Sequence, residues 1–153
     1  MNRAQRRAVD RQQKQDWADG LRRVHEEAAG VLELHIIRPR EMLDLLADAL
    51  SGDRRATIIA QAALDTVATV SRTAASGHAK LCLSCPRELM DQQFTVVLVV
   101  PERSHPSKAI GAAMCHACGL TESDIRNKAA VAFRGIWPDL RPITITHQTG
   151  GHA

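Results

Sequence analysis

The sequence predicts an α+β fold, and three observations carry that reading. Apolar residues recur at helical spacing through residues 1–75. A β-branched run, Val96-Val97-Leu98-Val99-Val100, stands in the second half. All four cysteines fall in two C-x-x-C units, Cys82-Leu83-Ser84-Cys85 and Cys115-His116-Ala117-Cys118. The expected arrangement is an N-terminal helical module, residues 1–75, followed by a small α+β domain, residues 76–153, with few strands and two helices held by the cysteines.

The helices follow from spacing and punctuation. Trp17, Leu21, Val24 and Ala28 recur at intervals of four, three and four, and Gly30 marks an interruption. Residues 31–37 are apolar and fit a helix or a short strand equally. Pro39 suits a helix first turn, and Met42, Leu45, Leu46, Ala49 and Leu50 form a stripe ending at Ser51-Gly52. Asp53 caps the next expected helix, which presents Ile59, Ala63, Val67, Val70 and Ala74 and stops at Ser76-Gly77.

The second half changes character. Residues 79–83 are expected as a short strand entering the first cysteine pair. Residues 94–100 do not alternate, as in a strand buried on both faces, and Pro101 closes them. Ser104-His105-Pro106 is expected to start a helix with Ala109, Ile110, Ala113 and Met114 on its apolar side. Thr121-Glu122-Ser123-Asp124 resembles a capping box and opens a helix through Ile125, Ala129, Ala132 and Phe133. Ile143-Thr144-Ile145-Thr146 alternates and is expected as a last strand, before a disordered Gly-rich tail from Thr149.

Two residues between thiolates let both sulfurs of a short knuckle reach one metal at about 2.3 Å, and two knuckles complete a tetrahedron. The expected ligands of a structural zinc ion are therefore Cys82, Cys85, Cys115 and Cys118. Buried unrelated thiols, two disulfides and a redox pair are the competing readings. The 29 residues between the knuckles exceed a minimal zinc ribbon and leave room for a strand and a helix. Haem attachment is excluded because Pro86 and Gly119, not histidines, follow the pairs. His116 is expected in solvent or bonded to a cysteine sulfur rather than as a ligand.

Charge is concentrated at one end. Arg3, Arg6, Arg7, Arg11 and Lys14 against Asp10 leave residues 1–14 at +4, while the whole chain carries +3. This arm could meet nucleic-acid phosphates or an acidic partner. Arg outnumbers Lys sixteen to four throughout, so a solvated helix in an arginine-biased sequence is the competing reading. The longest apolar run near the cysteines is far too short for a bilayer, so no membrane partner is expected. No apolar segment follows the basic N-terminus, so no secretory signal is expected, and thiols paired for metal suit the cytoplasm.

Residues 79–135, with two knuckles, an intervening strand and a following helix, resemble the zinc-ribbon and treble-clef group of four-cysteine domains. A treble clef places its second knuckle on the first turn of a helix, whereas Gly119 and Leu120 intervene here. The order of residues 94–100, His105, Pro106 and the second knuckle is also similar to HNH-type endonucleases. That resemblance implies His105 as the base activating water beside a second metal. Ser104 replaces the family's paired acid or histidine, and residues 108–114 lack its asparagine. A zinc deaminase is excluded because Leu81 and Met114, not proline, precede the knuckles. A zinc protease is excluded because Ala29 stands four residues after His25.

Three functions stay open: a nucleic-acid-associated or regulatory protein with a structural zinc, a protein–protein assembly module using the helical stripes, and an HNH-like nuclease. An enzyme is the reading least supported. With two Phe, two Trp and no Tyr, no stacking platform for single-stranded bases is expected.

Overall fold

The computed structural model describes residues 1–27, 32–75, 79–89, 94–101, 109–137 and 143–144. In chain order the elements are α1 (Arg3–Glu27), β1 (Leu32–Ile37), α2 (Met42–Leu50) after a 3-10 turn at Pro39–Glu41, α3 (Arg54–Ala75), β2 (Phe94–Pro101), β3 (Ile110–Cys115), α4 (Glu122–Ile136) and β4 (Ile143–Thr144). The fold is α+β.

Local chemistry sets the helix ends. Asn2 and Gln5 cap α1 reciprocally, each side chain accepting the other's backbone N–H at 2.9 Å. Asp53 accepts from the N–H groups of Arg55 and Ala56 at the start of α3. Thr121 accepts from Asp124 N–H at 3.1 Å at the start of α4. Gly52, at φ +97°, takes the left-handed position after α2 that a residue with a Cβ adopts only at a cost.

The sheet runs β3-β2-β1-β4. β2 is antiparallel to both β1 and β3, and β4 lies parallel to β1 at Leu32 and Glu33. The ambiguous segment before Pro39 is therefore a strand, and through it residues 1–75 and 76–153 share one sheet. Helices cover both faces, so β2 is buried from Thr95 onward, as its unalternating sequence predicts. Against one face, α1 and α4 supply Leu21, Val24, Ile125, Ala129 and Phe133 to a core with Leu34, Val97, Val99 and Met114. Against the other, α2 and α3 supply Leu45, Ile59, Ala60 and Ala63 over Val96, Leu98 and Val100.

Two expectations need correction. The helix expected around Ala109, Ile110, Ala113 and Met114 is instead strand β3, in register with β2 from Phe94↔Cys115 to Val99↔Ile110. Gly111 disfavours a helix, and β2 needs hydrogen-bonding partners on both edges, so tertiary pairing overrides the propensity of Ala and Met. Residues 79–83 form one isolated bridge, Leu81↔Glu88, rather than a strand. The knuckle turn and Pro86 end the pairing there. Ser104, His105 and Pro106, the last two residues of Ile143-Thr144-Ile145-Thr146, and the tail lie outside the described residues.

Candidate metal centre

The first knuckle sits on a tight loop. Cys82 N–H donates to Arg87 C=O at 2.9 Å, and Leu89 N–H to Lys80 C=O at 2.8 Å. The loop is then laid along the outer edge of β3, where Leu83 N–H donates to Ala113 C=O at 2.9 Å. The second knuckle continues from the end of β3. Its turn closes when the N–H groups of Cys118 and Gly119 donate to Cys115 C=O at 3.1 and 3.2 Å. Lys128 of α4 donates to the Cys118 carbonyl at 3.0 Å, fixing the helix to the turn.

This brings together four sulfurs from a stretch of 37 residues, Cys82 to Cys118. The sulfurs of Cys82, Cys85, Cys115 and Cys118 all lie within 4.8 Å of one another. No disulfide joins any of the four thiols. Sulfurs about 2.3 Å from a tetrahedral ion stand about 3.8 Å apart, and Cys85 and Cys115 are separated by 3.7 Å. The four cysteines are thus positioned to bind a metal ion. Cys82 and Cys115 are buried while Cys85 and Cys118 are half-buried.

Backbone amides already face the sulfurs. Cys82 Sγ accepts from Cys115 N–H at 3.2 Å and from Ser84 N–H at 3.4 Å. Such bonds stabilise thiolate charge and orient the ligands. Burial pushes the Cys82 thiol up despite these amides. Burial acts the same way on Cys115, but the Cys118 amide and the sulfurs of Cys118, Cys82 and Cys85 outweigh it and hold Cys115 below the usual thiol range. Cys118 is pushed up to about 12, by burial first and then by its sulfur neighbours Cys85 and Cys115 and the charges of Cys82 and Cys115.

Among the described residues, no histidine joins the four sulfurs as a further metal-ligating group. His116 is exposed on the second turn. His25 packs edge-on against Trp137, ring centres 4.8 Å apart. His105, the residue of the nuclease resemblance, lies outside the described residues. Cys118 precedes α4, whose first residue is Glu122.

The basic arm forms the first half of α1 and leans on the first knuckle. Arg3, Arg7 and Arg11 are exposed. Arg6 pairs with Glu88 of the knuckle loop at 3.1 Å, and Lys14 pairs with Asp10 at 2.9 Å. Gln13 is bonded at both ends to the Leu81 backbone. Sequence reasoning missed this last residue, although it extends the stripe of Trp17, Leu21 and Val24 by one turn and is polar.

No helix among the described residues is long and apolar enough to cross a membrane. No protein-family model, curated protein or solved structure matches the chain.

Proposed function

We propose that this chain is a zinc-stapled, macromolecule-binding protein of the cytoplasm, without catalytic activity, that associates with nucleic acid through Arg3, Arg7 and Arg11 of α1, with Lys14 and Arg6 beside them. One observation carries the reading: α1 is bonded directly to the metal-site loop through Gln13–Leu81 and Arg6–Glu88. The cationic helix is thereby tied to the metal-site loop, which supports the reading that its exposed arginines present one surface with the metal centre. Four thiolates in a tetrahedron suit zinc, which needs no redox role. The fit of the arm to phosphates is electrostatic, so the affinity is expected to fall steeply with salt.

Deleting residues 1–14 would also remove Gln13, so the test substitutes the three exposed arginines by alanine. The slope of log affinity for a DNA duplex against log salt should drop by about 0.9 for each phosphate contact removed, hence by about 2.7 for all three. An unchanged affinity and slope would refute the arm as the contact.

The assembly reading rests on a different surface. Of the stripe Leu45, Leu46 and Leu50, the first two pack into the α2–α3 core. Leu50, 89% exposed, and Leu43, 76% exposed, are the α2 leucines open to a protein partner.

A further inference from the structure

We propose that the first knuckle is a ridge between two clefts that together form one phosphate-binding face, with α4 extending the surface that α1 begins. This rests on the nucleic-acid reading above and assigns it Ser84, Asn127 and Lys128, none of which belongs to the arm. One cleft, of about 500 Å³, lies between α1 and the knuckle and is lined by Arg3, Arg7, Lys14, Ser84 and Pro86 among others. A second, of about 510 Å³, lies between the knuckle and α4 and is lined by Lys14, Ser84, Asn127, Lys128 and Val131. Lys14, Leu83 and Ser84 belong to both, so the clefts are continuous over the knuckle tip.

The chemistry along this path suits an anionic polymer. Arg3, Arg7, Lys14 and Lys128 face it against Asp10, while Arg6 is matched by Glu88. The Lys14–Asp10 pair is exposed at both ends, and such surface pairs contribute little, so the ammonium can exchange the carboxylate for a phosphate. Lys128 uses one N–H on Cys118 C=O, and an ammonium carries three. Ser84 and Asn127, both exposed, add a hydroxyl and an amide, the uncharged groups that commonly accompany Arg and Lys on phosphate oxygens. Trp17 is the aromatic residue in the first cleft, and it is half-buried against the core. Recognition is therefore by backbone phosphates of a duplex rather than by stacked bases. Because the cysteines shape the ridge, binding through both clefts depends on the metal.

The test measures a fluorescent DNA duplex binding to the full, metal-loaded chain at low salt. Ser84→Glu on the ridge, and Asn127→Asp and Val131→Glu on α4, place negative charge in the path. Val131 is 72% exposed, so its substitution leaves the core intact. Ala68→Glu on exposed α3 makes the same charge change elsewhere. Each path variant should weaken binding about three- to tenfold and flatten the salt slope by about 0.9 per lost contact, with the control within about twofold. Metal content is measured throughout, and the α4 variants keep the test valid if Ser84→Glu disturbs the knuckle. If the wild type binds and the arginine variants of α1 fail, yet the α4 variants match the control, the composite face is refuted and the arm reading stands. If the wild type binds no duplex, both fail. Equal displacement by polyglutamate at matched charge would also overturn the proposal, in favour of an acidic protein partner.

Discussion

Gln13 and Leu81, 68 residues apart, exchange two hydrogen bonds: the Gln13 amide donates to the Leu81 carbonyl at 2.8 Å, and Leu81 N–H donates to Gln13 Oε1 at 3.0 Å. The side chain takes the place of a neighbouring strand for the residue just before Cys82. Gln13 is only 4% exposed, so little water can replace it. Gln13→Ala leaves a buried N–H and C=O unpaired, each costing about 1–3 kcal/mol. A chain of this size should lose about 5–15 °C in Tm, and a chelator should strip its metal faster than from wild type. An unchanged Tm would mean that the loop holds its place without α1.

The metal should prove structural. One ion per chain is expected on elemental analysis of freshly purified protein. Removing it, or making Cys85→Ala, should release the knuckles and α4, since a structural zinc contributes on the order of 10 kcal/mol of apparent binding energy to folding. Amide exchange would show this as lost protection around residues 81–89 and 110–133. Metal-free protein with native protection would contradict a structural role.

Metal binding should weaken as pH falls. In the metal-free cluster, Cys82 is raised above the ordinary thiol value and Cys118 to about 12, with burial the largest cause for each. Both therefore hold protons at neutral pH, and the metal must displace them to bind these two sulfurs among its four thiolates. Lower pH favours the protonated competitor, so affinity falls on acidification and rises toward alkaline pH. With at least these two protons displaced, the dissociation constant should change at least about a hundredfold per pH unit. Calorimetry in buffers of different ionisation enthalpy counts those protons, and fewer than about one would contradict the assignment.

How far the sequence discloses this molecule depends on the range of each signal. The knuckles are legible because two residues between thiols is a local constraint, and the four cysteines do converge. Helices α3 and α4 are legible from their caps at Asp53 and Thr121 and from the buried stripes of Ile59 and Ala63 and of Ile125, Ala129 and Phe133. Strand β3 is not, because residues 110–115 have helix-compatible composition and are made extended by pairing with β2. The Gln13–Leu81 contact and the clefts flanking Ser84 arise from packing across the chain, and no local pattern encodes them.

Gly111 marks a close approach that fixes α3 against β3. A Cβ at this position would lie 1.9 Å from Thr66 Oγ1, whose hydroxyl donates to Ala62 C=O at 2.8 Å. Gly111→Ala should cost about 1–3 kcal/mol as α3 shifts or Thr66 turns away. Adding Thr66→Gly removes the obstructing atoms, so part of the loss should return, beyond the helix penalty measured in Thr66→Gly alone. Strict additivity in urea denaturation would show that the two residues do not collide.

Charge is also placed under α3. Glu33 and His35 stand on the β1 face covered by α2 and α3, and both are buried. His35 Nε2 lies 3.0 Å from the Glu33 carboxylate, and the Arg55 guanidinium of α3 reaches the same carboxylate while donating to Pro101 C=O at 3.2 Å. Arg55 thus ties the first turn of α3 to β1 and to the end of β2. Arg55→Met leaves the carboxylate without its cation, and breaking one side of such a pair costs about 3–5 kcal/mol when buried. Arg55 keeps a quarter of its side chain in solvent, which places the expected loss at the lower end, about 3 kcal/mol. Glu33→Gln removes the charge that Arg55→Met strands, so the double variant should be more stable than the sum of the single losses predicts. Coupling of about 1–3 kcal/mol in a urea double-mutant cycle is expected. A coupling near zero would show that Arg55 does not act through the Glu33 carboxylate.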